Sequence, residues 1–213
     1  MKVFGLRQAV QLQYPSFDLT EFLGDIMLLA GWGRVVLAGL LLASASGAFA
    51  SESNAKLQAT RDADQAERAS GLLRQDWKLL VKHDMERQAR VRELLSDGSV
   101  VTATDYYNAA LVMQHGQSVN DYRLANALAS IAAQLDPENA DAKWLAAATW
   151  DRLLESMKQP QWYGTQFVKN SAGRVVLYPV APGAVSDDDR RAMHVPPLHQ
   201  SEERAERMNA GSN

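Results

Sequence analysis

From Trp77 onward the polar and apolar positions fall into helical spacings. Trp77, Val81, Asp84, Gln88, Val91 and Leu95 recur at steps of four and three, which places them on one face of a helix ending near Asp97-Gly98. Two members of that face, Asp84 and Gln88, are polar, so the face is either partly solvated or lines a polar site. A second helix is predicted after Thr102 or Thr104, with Tyr107, Ala110, Leu111, Gln114 and His115 on one side and Gly116 as its stop. A third starts at Ser118, where Asp121 three residues on makes a variant capping box, and Leu124, Leu128, Ile131 and Leu135 form its apolar stripe. Asp136-Pro137-Glu138-Asn139 turns the chain into a fourth helix, which buries Ala142, Ala146, Thr149, Trp150, Leu153 and Met157 and stops before Pro160. Trp77, Trp144 and Trp150 are read as core residues, and Trp162, outside any periodic helix, as a ligand-facing aromatic.

Beyond Pro160 the period changes. Phe167-Val168 and Val175 to Tyr178 flank Lys169 to Arg174, the pattern of a small β-hairpin or ordered loop. Ser186 then caps a short helix from Asp187 to Met193, whose first turn holds three carboxylates, where they favour the helix dipole. The pattern predicts a mainly α chain: a small bundle of about four to five helices, with a short C-terminal β-hairpin or loop. Residues 51–70 read as a polar, flexible or helical lead-in, 71–198 as the helical domain, and 199–213 as a flexible polar tail. Ala125, Ala132 and Pro137 sit at the spacing of the second half of a tetratricopeptide unit, which predicts hairpin packing of that kind. No second copy follows, so an array is not expected.

The N-terminal region changes the picture of where the protein works. Arg34 precedes an uncharged run from Val35 to Ala43, and small residues lead to Ala48-Phe49-Ala50, the order of a signal peptide with an A-x-A cleavage site. The apolar run is shorter than the roughly 20 residues that span a bilayer. Met27 stands just before this region, which suggests translation from Met27, cleavage after Ala50, and a mature chain from Ser51 to Asn213. Residues 1–50 are therefore read as a signal region, and the expected location is the periplasm or the outside of the cell. The membrane is met only through that region during export. With no cysteine in the chain there is no thiol chemistry, no disulfide and no lipoprotein anchor. A net charge of −3 gives no basic surface for nucleic acid.

Common catalytic signatures are missing: no nucleophile elbow, no phosphate-binding glycine loop, no H-E-x-x-H. The four histidines, at 83, 115, 194 and 199, lack metal-ligand spacing, so no metal and no other cofactor is expected. What stands out is polar residues where apolar ones belong. Asp84 and Arg87 can pair across one helical turn. Gln114 and His115 close a helix, Asp151-Arg152 interrupts the most apolar one, and Gln161, Tyr163, Gly164, Thr165 and Gln166 form a dense hydrogen-bonding run. Such a set is costly to bury unless each member is paired, and a pocket for a polar ligand would account for it.

These residues carry a resemblance. Asp84-x-x-Arg87, Gln114-His115, Asp151-Arg152, the Pro160-Gln161-x-Tyr163-Gly164-Thr165-Gln166 run, Asp189-Arg190-Arg191 and Pro196-Pro197-Leu198 resemble a bacterial family described as a domain of unknown function. Its members share a helical body and this P-Q-x-Y-G-T-Q signature. The likeness spans Asp84 to Leu198, and Val100 to Asp105 departs from the family's Gly-Trp-Pro turn. It implies no activity, but it does imply that the matching residues form one site or one structural knot.

Three functional readings follow. The first is a binding or accessory protein whose helical groove presents Arg152, His115, Gln161, Tyr163 and Gln166 to a polar small molecule or peptide. The second is a hydrolase or transferase with His115 as base, Asp84 or Asp151 orienting it, and Arg152 stabilising negative charge. The third is structural: Arg152 pairs with a carboxylate to clamp helices, and the signature run locks the C-terminal loop to the bundle.

Overall fold

A computed structural model describes residues 52–70 and 76–210, all within the compact unit Ala48–Asn213. The segment read as a signal region, the cleavage site expected after Ala50 and Met27 lie outside the described residues. Seven helices and one two-stranded sheet make up the described part: α1 Ala55–Ala69, α2 Trp77–Ser96, α3 Ala103–Met113, α4 Val119–Leu135, α5 Ala140–Ser156, β1 Phe167–Lys169, β2 Val175–Leu177, α6 Asp187–Ala192 and α7 Leu198–Ala210. No helix among the described residues is long and apolar enough to cross a membrane.

Short polar residues fix where the helices start. Thr102, Ser118 and Ser186 each cap a helix and are answered by an aspartate three residues on, Asp105, Asp121 and Asp189, so three complete capping boxes satisfy N-terminal N–H groups. Asp105 is fully buried because it also accepts the Asn54 N–H, at 2.6 Å, and so ties the start of α1 to the start of α3. Asn54 in turn caps α1 and donates its amide to the Ser99 carbonyl at 3.2 Å. The polar lead-in is thus a packed helix. Its Leu57 is completely buried in the main core with Val91, Leu94, Met113, Leu128 and Leu145.

α3, α4 and α5 pack successively side by side, through alanines. Ala109, Ala110, Ala125, Ala129, Ala132, Ala142, Ala146 and Ala147 are buried, while Ile131 and Leu135 of the expected stripe on α4 are exposed. Small residues let the helix axes approach closely, so much of the inward face is alanine, with Met113, Leu128 and Leu145 beside it, while Ile131 and Leu135 stay outside. The three helix tryptophans are corrected likewise. Trp77 is 57% exposed at the first turn of α2, Trp144 is exposed, and Trp150 is half-buried at the edge of the core. Met157 is also exposed, one residue past α5.

The hairpin forms as expected, antiparallel with Phe167 opposite Leu177 and Lys169 opposite Val175. Its turn is closed by the Asn170 side chain, which accepts the Ala172 and Arg174 N–H groups, and by Gly173 at φ +77°. The expected flexible tail is instead α7, which packs on β2. Asn209 on α7 pairs with both backbone groups of Val175 at 2.8 Å, and Arg204 lies over the Phe167 ring. That pairing satisfies the free edge of a two-stranded sheet, which alone is marginal in water.

Candidate functional site

Two polar constellations meet along α5, and the order of residues on that helix separates them. Asp151 is fully buried on one side. Its Oδ1 accepts the Trp162 and Tyr163 N–H groups at 2.8 and 2.9 Å, and its Oδ2 accepts the Thr165 N–H at 3.0 Å and the Thr165 hydroxyl at 2.8 Å. A single carboxylate thereby holds the signature run against the helix. Gln161, also fully buried, closes the run on itself: its Oε1 accepts the Gln166 N–H, and its Nε2 donates to the Gln166 and Tyr178 carbonyls. From the far side Arg190 of α6 donates to the Trp162 and Tyr163 carbonyls. Gly164 turns at φ +83°, and a Cβ there would stand 3.0 Å from Leu198 Cδ1. Asp151, Gln161, Tyr163, Gly164 and Thr165 form this knot, and Trp162 packs edge-on against Trp150, ring centres 5.0 Å apart.

Arg152, the next residue, points the other way, into a cleft of about 720 Å³ lined by α1, α2, the turn that follows α3, α4, α5 and the start of β1. The knot presents Gln166 to it. Arg152 Nε and Nη2 both donate to Gln166 Oε1 at 3.3 Å, and Nη1 donates to the Gln114 carbonyl at 3.1 Å. Gln166 is held in turn by the Ala148 carbonyl and the Thr165 hydroxyl. Among the described residues no carboxylate lies within ion-pair distance of Arg152. The expected carboxylate clamp is therefore corrected: the cation hydrogen-bonds to carbonyl oxygens alone, with Tyr122 and Glu155 acting on it only electrostatically. Burial lowers the pKa of its guanidinium; Tyr122 and Glu155 oppose this in part, and the nearby positive charge of Arg68 adds to it.

The opposite wall is an ion-pair network joining α1 and α2. Arg68 Nη2 donates to both oxygens of Asp84 at 3.1 and 3.0 Å, while Arg87 donates to Asp84 at 2.7 Å and to Glu67 at 2.8 Å. His83 meets Glu67 at 2.7 Å. His115 sits between the two walls. Arg68 Nε–H points at its Nε2, 3.0 Å away, and a guanidinium can only donate, so Nε2 carries the lone pair. Nδ1 therefore holds the proton and donates to Asp64 at 3.1 Å. Burial pushes the His115 pKa down, Asp64 only partly restores it, and Arg68 and Arg152 lower it further. Burial pushes the Asp64 carboxyl up, but the His115 hydrogen bond and the Arg68 charge carry it below the ordinary value.

The sequence-predicted residues thus divide. Asp84, Gln114, His115, Arg152 and Gln166 line one cleft, Arg87 stands behind Asp84, and the other five build the support for Gln166. Asp151 does not approach His115; its place as orienting carboxylate is taken by Asp64, which sequence reading missed together with Arg68, Tyr122, Glu155 and Phe167. One signal was present: Leu57, Arg61, Asp64 and Arg68 follow each other at steps of four, three and four, a helix face whose inward members are polar.

Asp64, Asp84 and His115 bring ligand atoms within 4.8 Å of one another, the composition of a small metal site. Their lone pairs are already engaged by Arg68 and Arg87, and His115 turns an N–H toward Asp64, so a cation would have to displace two guanidinium groups. The set fits an ion-pair network better than a metal site.

No protein-family profile, curated protein or solved structure matches the chain.

Proposed function

We propose that this chain is an exported binding protein, working in the periplasm or outside the cell, whose cleft takes up a polar small molecule bearing an anionic group. The observation that carries this reading is Arg152. A largely buried cation without a carboxylate partner is destabilising, and a protein keeps one where a ligand completes the pair. A guanidinium offers five N–H donors in a plane, and three are used here, which leaves one on each Nη for a carboxylate or phosphate oxygen. The volume of about 720 Å³ is in the range of small-molecule sites. The knot around Asp151 belongs to the same account: it positions Gln166, which aligns Arg152. Packing of α4 on α5 in the manner of a tetratricopeptide unit, and membership of the signature-bearing family, are compatible with this reading.

A hydrolase or transferase reading draws on the Asp64–His115 pair, which is within hydrogen-bond reach on an open cleft. Against it, the nitrogen that would act as base accepts the Arg68 N–H, and no hydroxyl group among the described residues bonds to the ring.

Native mass spectrometry of protein recovered from an exporting host tests the binding reading. The wild type is expected to carry a small mass that Arg152→Ala loses while retaining a cooperative melt. A bare wild type would count against the reading.

A further inference from the structure

Arg152 and Glu155 stand one turn apart on α5 and both line the cleft, so their Cβ atoms are neighbours. Opposite charges at this spacing usually join. Here the guanidinium is drawn aside by Gln166 and the Gln114 carbonyl, and the Glu155 carboxylate accepts no hydrogen bond from the described residues. Two complementary charges are thus held in one cleft, near enough to attract each other but with no hydrogen bond or ion pair between them, and each partly desolvated. The same cleft is also lined by Leu80, Val81 and Phe167 and by the aromatic ring of Tyr122, which supply apolar surface.

We infer that the ligand is a free α-amino acid with an apolar side chain, its carboxylate on Arg152, its ammonium on Glu155, and its side chain against Leu80, Val81, Tyr122 and Phe167. This inference rests on the binding reading of the cleft. A zwitterion answers both unpaired charges at once, whereas a simple anion would leave Glu155 beside its own negative charge. In the network of Asp64, Glu67, Arg68, Asp84 and Arg87 each charge meets an opposite one, so neither guanidinium stands without a carboxylate as Arg152 does.

Isothermal titration with L-leucine, L-phenylalanine, 4-methylpentanoate and 3-methylbutylamine tests it; the last two are leucine without its ammonium and without its carboxylate. At least one amino acid is expected to bind roughly ten-fold or more tightly than either leucine fragment, since one well-placed charge pair contributes about that factor. Glu155→Gln is expected to weaken amino-acid binding about ten-fold and to leave 4-methylpentanoate unaffected or improved, and Arg152→Ala to abolish binding of both. Equal affinity for leucine and 4-methylpentanoate, or an amino-acid affinity indifferent to Glu155→Gln, overturns the zwitterion while the anion cleft survives. No binding of any probe, alongside an Arg152-dependent mass in the native spectrum, overturns the amino acid alone. No binding and no such mass overturns both readings.

Discussion

Asp151→Asn should be among the most damaging isosteric changes available to this chain. The side chain keeps its shape but exchanges one carboxylate oxygen for an amide NH2. With the remaining oxygen toward Trp162 and Tyr163, the new NH2 faces the Thr165 N–H, donor against donor. The Thr165 hydroxyl can turn to accept, but the backbone N–H cannot. The opposite rotamer leaves two N–H groups without an acceptor, so the first is preferred. One buried unpaired N–H costs about 1–3 kcal/mol. The two surviving bonds fall from charge-assisted to neutral strength, a loss of about 1 kcal/mol each. The expected destabilisation is therefore about 3–5 kcal/mol, a large part of the roughly 5–15 kcal/mol that holds a typical domain. Urea unfolding followed by tryptophan fluorescence measures it, with an unchanged slope of about 2 kcal/mol per M and a midpoint lower by about 2 M. Asp62→Asn, at an exposed ion pair with Arg61, serves as the control and should stay within about 0.5 kcal/mol. A loss below about 1 kcal/mol for Asp151→Asn would refute the view that this carboxylate organises the signature run.

Other outcomes follow from the same contacts. Leu57→Ala should cost about 2–5 kcal/mol in thermal or urea unfolding, because the side chain is fully buried; a neutral result would make α1 an appendage. Gly164→Ala should cost at least the roughly 1–2 kcal/mol of a left-handed alanine, and more than Gly173→Ala, whose added Cβ meets nothing within 4 Å; equal losses would count against close packing on Leu198. His115 titrates below its ordinary 6.5 in the folded protein, so its contribution is present above that value and lost as pH falls through the folded one. His115→Gln should accordingly flatten the decline in unfolding free energy as the pH falls below about 6.5 and shrink the acid loss from Asp64, whose carboxyl loses its His115 partner, while the loss from Glu67 stays in place. An unchanged slope would place the His115 proton elsewhere.

The helical class, the capping residues and the hairpin were legible because each depends on local chemistry: an aspartate three residues after a serine or threonine, a glycine at a turn, a change of period. Facing was less legible. Reading bulk as burial misplaced Ile131, Leu135 and Trp77, since the helices here meet through alanines. α7 was taken for a tail because its inward residues, Ser201, Ala205 and Asn209, are small or polar and gain meaning only beside β2. The polar residues of the site were visible as misfits on their helices, but their partners were not. Asp64 reaches His115 across 51 positions, and Arg152 reaches Gln114 across 38, separations that no local spacing encodes.

The central claim is that Arg152 is kept for a ligand and not for the fold. Urea unfolding of ligand-free Arg152→Met beside the wild type tests it most directly. Methionine keeps apolar contact along the side-chain stem, removes a largely buried charge that has no ion pair, and leaves Gln166 its bonds to the Ala148 carbonyl and the Thr165 hydroxyl. The account predicts a stability within about 1 kcal/mol of the wild type, or above it, together with loss of the bound mass. A destabilisation of about 3 kcal/mol or more, the range for breaking a needed buried charge interaction, would contradict it and make Arg152 a structural clamp.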